Sequence, residues 1–207
     1  MKKLLTEFIG TFFLVFTIGL VVTQSVAMAP VAIGSILMVM VYAGGHVSGA
    51  HYNPAVSLAV LVRGKSNLQE FIAYVATQIS AAFIAACVVY IVTGKTFVPT
   101  PNSSVLPALI VETLFTFALA LTVLNTATSK STSGNSFYGL AIGFTVLAAA
   151  FAGGPISGGA FNPAVGIGPA LCELFMGTGS ISHIWIYLVG PLVGGMIAGI
   201  VFNIQEN

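Results

Sequence analysis

The chain has 207 residues, 57% of them hydrophobic and only 5% charged, with a mean hydropathy of +1.04. A soluble domain carries about 25% charged residues, so a water-facing exterior is excluded and lipid is the solvent for most of the surface. The net charge of +1 offers no basic field for nucleic acid.

In chain order, Met1-Lys2-Lys3 leads into an apolar run over 4–23. This start resembles a signal peptide, with Ala27-Met28-Ala29 as a cleavage site. The run is longer than a signal core of about 7–15 residues and contains Glu7, so it is read as a retained first span. Five further stretches reach the roughly 20 residues that a spanning helix needs: 31–48, 68–93, 107–128, 137–154 and 182–203. Two shorter apolar segments, 53–62 and 162–173, each follow a Gly/Ser-rich stretch and begin at Asn-Pro-Ala. At about 1.5 Å per residue they reach only halfway through a core of about 30 Å. They are read as re-entrant half-helices, since irregular backbone is tolerated at depth where it lines a cavity. The segment Gly94 to Ser104 reads as an extracellular connector.

With this arrangement Lys2, Lys3, Arg63, Lys65 and Lys130 fall on one side and only Lys95 on the other. By the positive-inside rule both termini are cytoplasmic.

The two halves, about 1–104 and 105–207, repeat each other within one channel domain spanning 1–207. Gly44 to Val56 aligns with Gly153 to Val165, and eight of the thirteen positions are identical. Thr6-Glu7-Phe8 aligns with Val111-Glu112-Thr113, and both glutamates are expected to open an apolar helix. Three spans per half make the second copy insert upside down, which places the functional site at the repeat interface near the midplane.

Asn53-Pro54-Ala55 and Asn162-Pro163-Ala164 suit helix starts: Asn caps and Pro favours the first helical position. Capping alone explains one such turn, not two in inverted halves. Opposed half-helix N-termini carry partial positive charge, and the Asn amides are expected to donate to a passing solute oxygen. The stretches before each Asn, Gly49-Ala50-His51-Tyr52 and Gly158-Gly159-Ala160-Phe161, are expected to present a ladder of acceptor carbonyls, with the glycines supplying the unusual backbone angles.

These motifs resemble the aquaporin, or major intrinsic protein, family over nearly the whole chain. The carriers are Ser48 to Val56, Ser157 to Ala164, Gly168-Pro169-Ala170, Val189-Gly190-Pro191 and the paired Glu7 and Glu112. The resemblance implies an all-α membrane protein of six transmembrane helices plus two re-entrant half-helices around one pore, assembled as a homotetramer. It implies passage of water and small uncharged solutes, with ions and protons excluded, no cofactor and no metal. It also implies that Glu7 and Glu112 support the re-entrant loops. Family members carry a second constriction, which by counting falls at Ile33, Ala150, Gly159 and Val165. Its usual arginine is here Val165, so the ring is expected to be wide and apolar. The expectation is a broad neutral-solute channel, with glycerol, urea, metalloid hydroxides such as arsenite, peroxide or ammonia as candidates. The compactness of the chain suggests a bacterial inner membrane.

His51 has three readings: loop scaffold, vestibule lining or pH gate. His46 and His183 are read as structural, Gln78 as packing between helices, and Cys87 and Cys172 as small buried thiols. A strict water channel is the nearest alternative. A secondary transporter also uses inverted repeats but needs an ion site, and intramembrane charge is scarce. No catalytic dyad or phosphate loop points to an enzyme, and a purely structural protein leaves the paired Asn-Pro-Ala turns unexplained.

Overall fold

A computed structural model describes residues 1–176, 179 and 181–206. It is all-helical: α1 (Lys2–Thr23), α2 (Ala29–Ser48), α3 (Pro54–Val62), α4 (Leu68–Thr93), α5 (Val105–Val123), α6 (Tyr138–Ser157), α7 (Pro163–Phe175) and α8 (Ile184–Glu206). Six of these helices are long and apolar enough to cross a membrane, and α3 and α7 are the two short ones. The expected spans hold to within three residues at each end. The largest shifts are at the ends of α8, which runs to Glu206, and of α6, which continues through Pro155 to Ser157 before Gly158 caps it in the left-handed conformation. Glu7 and Glu112 do not open their helices. They sit inside α1 and α5, fully buried.

Packing repeats between the halves. Helix α1 lies against α2 and α4, as α5 lies against α6 and α8, while α2 crosses α6 and each short helix packs on the last span of the other half. The α2–α6 crossing needs glycine on both sides, because a side chain at Gly34 would meet the Gly143 carbonyl at 2.7 Å and one at Gly143 would meet the Gly34 carbonyl at 2.5 Å. Two buried clusters result. One gathers Val56, Ala59 and Val60 of α3 with Ala198 and Phe202 of α8; the other gathers Ala164, Val165 and Cys172 of α7 with Ala82, Ala85 and Ala86 of α4. Large apolar side chains such as Ile91, Leu106 and Phe175 face outward, as a lipid-facing surface requires.

The ends are distinct. At one, here called the basic end, Lys3 pairs with Glu70 at 2.7 Å and Arg63 with Glu206 at 3.4 Å. Arg63 also donates to Thr128 Oγ1 and O and stacks over Phe202. At the opposite end Lys95 Nζ donates to Thr23 O, and the 94–104 connector folds back over the last turn of α6 through Asn102 N–H and Ser103 Oγ to Ile156 O. Helix α5 ends in a π-helical turn, Leu124–Thr128. There Thr122, Thr126, Thr128 and Asn125 all return side-chain hydrogen bonds to carbonyls four residues earlier. Such back-bonding competes with and bends the helix.

Candidate functional site

Both re-entrant loops take the same path. Gly49 and Gly158 leave the preceding helices at φ +87° and +88°; Ala50 and Gly159 follow at +50° and +68°, and Tyr52 and Phe161 at +50° each. Glycine therefore accounts for only part of the strain. Ala50, Tyr52 and Phe161 are non-glycine residues in the left-handed region, each costing on the order of 1–3 kcal/mol.

The glutamates offset that cost. Glu7 accepts from Ser48 Oγ at 2.7 Å, His51 N–H at 2.9 Å, Tyr52 N–H at 2.7 Å and Gln78 Nε2 at 2.8 Å. Glu112 accepts from Ser157 Oγ at 2.7 Å, Ala160 N–H at 3.0 Å and Phe161 N–H at 2.6 Å. Hydrogen bonds to a charged acceptor contribute about 1.5–3 kcal/mol each, enough to hold both loops against their backbone strain. Gln78 is thus a partner of Glu7 as well as a packing residue.

Each loop ends at an asparagine that caps the next helix. Asn53 Oδ1 accepts from Ala55 N–H at 2.8 Å, and Asn162 Oδ1 accepts from Ala164 N–H at 2.9 Å. The amide nitrogens reach across the molecule: Asn53 Nδ2 donates to Phe161 O at 2.9 Å and Asn162 Nδ2 donates to Tyr52 O at 2.9 Å. An amide nitrogen has two N–H groups, so each asparagine keeps one for the cavity it lines. Pro54 and Pro163 start the two helices, and Ala55 and Ala164 are fully enclosed behind them. These four position the asparagines and do not line the cavity.

That cavity is narrow, about 40 Å³, room for a file of about three waters. Asn53, Asn162, Ala50, His51, Tyr52, Gly159, Ala160 and Phe161 line it, and so do all four positions expected at the constriction: Ile33, Ala150, Gly159 and Val165. Of the eight residues of the expected ladder, Gly49 and Gly158 do not line this cavity. Gly49 lies in a wider vestibule of about 680 Å³ toward the basic end, together with His46, His51 and Lys130. Gly158 packs on Thr100, where a side chain would come within 2.7 Å of its carbonyl. The Tyr52 and Phe161 carbonyls each accept from an asparagine and keep a second lone pair. The sulfur atoms of Cys87 and Cys172 are 3.4 Å apart between α4 and α7, away from this cavity. That contact is legible only from the packing of the two helices.

The short helices run outward in opposite senses from the paired asparagines, α3 to Arg63 at the basic end and α7 toward Glu173, which accepts from Thr96 at the other. Two inverted halves thus meet at a narrow, largely apolar passage that holds the two asparagines, within six apolar spans, and this architecture defines a multi-pass integral membrane channel. The chain belongs to the major intrinsic protein family: the family model described as Major intrinsic protein matches residues 1–202. Its members are channels for water and small solutes, not enzymes. The chain is similar to Glycerol uptake facilitator protein-like 6 of Lactiplantibacillus plantarum, 36% identical over 96% of this chain and 95% of the relative. It is similar also to Aquaporin NIP1-1 of Zea mays, 36% identical, and Putative aquaporin NIP4-1 of Arabidopsis thaliana, 34% identical, each over 98% of this chain and 74% of the relative. Among solved structures, the aquaglyceroporin from Plasmodium falciparum superposes with a TM-score of 0.86 at 23% identity, covering 98% of this chain and 95% of that one. This likeness concerns the fold.

Proposed function

We propose that this channel passes small uncharged solutes broader than water, with water passing too. The carrying observation is the composition of the narrow cavity. Asn53 and Asn162 line it, each with one amide N–H left over from the cross-bond, and Ile33, Ala150, Gly159 and Val165 stand where an arginine-bearing ring is expected. An apolar ring offers neither the donors nor the fixed charge of arginine, so hydroxyl- or amide-bearing solutes meet less steric obstruction there. The asparagine N–H groups replace a hydrogen bond that the solute leaves behind in water. Candidates are glycerol, urea, metalloid hydroxides such as arsenite, peroxide and ammonia. The relative named as a glycerol uptake facilitator supports a polyol among them.

Ion exclusion then rests on the two half-helix N-termini. Each carries about half a charge. A cation about 5 Å from both, at an effective dielectric of about 20, is repelled by about 3 kcal/mol, on top of its dehydration cost. A water that offers its oxygen to both asparagines breaks a continuous proton wire. The basic end is the cytoplasmic one by the positive-inside rule, in a bacterial inner membrane, and the family resemblance supports one channel domain per chain and a homotetramer.

The test is vesicle swelling with purified protein in proteoliposomes, in water, glycerol, urea and arsenite. The expected result is water flux and flux of at least one solute above empty vesicles, linear in concentration and independent of any ion gradient. Saturating, ion-coupled flux would make the protein a transporter. Water flux alone would make it a strict water channel.

A further inference from the structure

The two loop glutamates are not used alike. Glu7 has one donor more than Glu112, Gln78, and the same Gln78 Nε2 donates onward to Ser57 Oγ at 3.1 Å. Ser57 Oγ lies 3.0 Å from His51 Nδ1. Glu7, Gln78 and Ser57 are buried, and His51 lines both the narrow cavity and the vestibule.

The proton directions along this chain follow from counting. Oε1 of Glu7 takes Ser48 Oγ and His51 N–H, and Oε2 takes Tyr52 N–H and Gln78 Nε2. All the acceptor positions of an ionised carboxylate are then filled. Gln78 must turn its nitrogen toward Glu7, because the flipped amide would place two acceptor oxygens 2.8 Å apart. Its second N–H points to Ser57. The Ser57 hydroxyl therefore accepts from Gln78, and among the described residues its own proton has one acceptor in reach, His51 Nδ1. With Nδ1 accepting, a neutral imidazole carries its proton on Nε2. Nε2 lies on the open side: a side chain at Gly49, which also lines the vestibule, would come within 3.1 Å of it.

The second half shows that the chain is not needed to build a re-entrant loop. Ala160 and Gly166 stand where His51 and Ser57 do. Tyr74 and Tyr187 each donate to the corresponding carbonyl, Ser48 O and Ser157 O, which sets α8 against α4 and puts Pro191 opposite Gln78. All three members are missing together, and none of the replacements has a side chain that can donate or accept. Yet the second loop follows the same backbone path.

We propose that Glu7, Gln78 and Ser57 hold His51 as its Nε2–H tautomer, making the imidazole a fixed hydrogen-bond donor to solute oxygens at the basic end of the passage. It stands as a third donor beside the free N–H groups of Asn53 and Asn162. Solutes rich in acceptor oxygen, hydroxyl or carbonyl, are the class it favours. His51 is the residue that touches solute; Ser57 and Gln78 are positioning residues. The solute role rests on the channel reading above, whereas the tautomer does not.

The test is nitrogen NMR of ¹⁵N-histidine-labelled full-length protein in lipid bilayers at about pH 8, where a free imidazole is neutral. The chain has three histidines, and the His51 signals are identified by their loss in His51→Asn. The expected spectrum has a protonated Nε2 and a bare Nδ1 as a single form. Ser57→Ala should give a mixture of tautomers, and Ser57→Thr, which keeps the hydroxyl, should restore one form. A protonated Nδ1 in the unsubstituted chain, or no change in Ser57→Ala, overturns the relay. In the same vesicles the glycerol-to-water flux ratio should fall about threefold to fivefold in Ser57→Ala, the worth of one hydrogen bond, and recover in Ser57→Thr. A ratio that stays constant while the tautomer shifts overturns the donor role. Vesicles that pass no solute and no water would defeat the channel reading, with the spectrum still deciding the relay.

Discussion

Replacing Val165 with arginine tests the wide-ring reading directly. Val165 is 3% exposed and lines the narrow cavity at the first turn of α7. Arginine adds four heavy atoms to a passage with about 40 Å³ of free volume. These atoms take at least about the room of one water, leaving a file for water but removing the width that a polyol needs. Glycerol flux should fall at least about tenfold, equivalent to about 1.4 kcal/mol of barrier, and water flux by less than about threefold. A guanidinium about 5 Å from a passing cation, at an effective dielectric of about 20, adds about 3 kcal/mol of repulsion. Any residual cation leak should therefore drop by about two orders of magnitude. Val165→Leu separates size from charge, since it should narrow the ring without touching the cation leak. The assay is stopped-flow light scattering of proteoliposomes, with a potential-sensitive dye for cations, normalised to reconstituted protein. Equal loss of glycerol and water, or no change in either, would refute the assignment of Val165 to the constriction.

Gly195→Ala places a methyl group 2.3 Å from the Ala55 carbonyl. It should displace the Asn53 turn, lowering stability by about 1–3 kcal/mol and reducing flux of every solute, as read by melting in detergent and by swelling. Gly154→Ala, with nothing within 4 Å of the added methyl, should be neutral or slightly stabilising; a loss equal to that of Gly195→Ala would count against the close-approach argument. Glu7→Gln should destabilise more than Glu112→Gln, because four donors converge on Glu7 and three on Glu112. A glutamine nitrogen would face donors at either site, at a cost of about 1–3 kcal/mol per bond left unmade, and an equal or reversed order of melting temperatures would contradict this. For orientation, a cysteine at Lys95 should react with an impermeant maleimide in intact cells, and one at Lys130 only after permeabilisation. The opposite pattern would invert the assigned topology.

Much of this architecture was legible because it is written in local signals. Spans of about 20 apolar residues, helix-starting Asn-Pro pairs and a repeat offset are all one-dimensional patterns, and they located every helix among the described residues. What escaped depends on contacts distant in sequence. Nothing near Ala50, Tyr52 or Phe161 announces a left-handed backbone, since bulky residues rarely adopt it. It is imposed by carboxylates 44 to 49 positions away. Gln78 reads as one polar residue in an apolar helix, and only the fold reveals that it joins Glu7 to Ser57. Gly49 and Gly158 fall outside the narrow cavity through contacts equally distant in sequence, such as Thr100 against Gly158. The π-helical turn at 124–128 did have a signal, the cluster of Thr122, Asn125, Thr126 and Thr128, whose side chains compete for the helix carbonyls.

The cross-bonding of the asparagines has a consequence for how selectivity can vary. Asn53 is held by a carbonyl of the second half and Asn162 by a carbonyl of the first, as well as by the N–H it caps in its own half, so neither half orients its donor alone. Substitutions that disturb one loop therefore misplace both donors, and the central pair is poorly suited to tuning. The two ends of the passage lack that mutual constraint. On the proposed reading, four independent positions from α2, α6, the second loop and α7 set width and charge at one end. At the other, a relay found only in the first half bears on His51, and its counterpart loop folds without it. Symmetry is kept where the two halves must orient each other and is abandoned where they need not. On the proposed reading, solute preference is accordingly set at Val165 and His51 rather than at the asparagines between them.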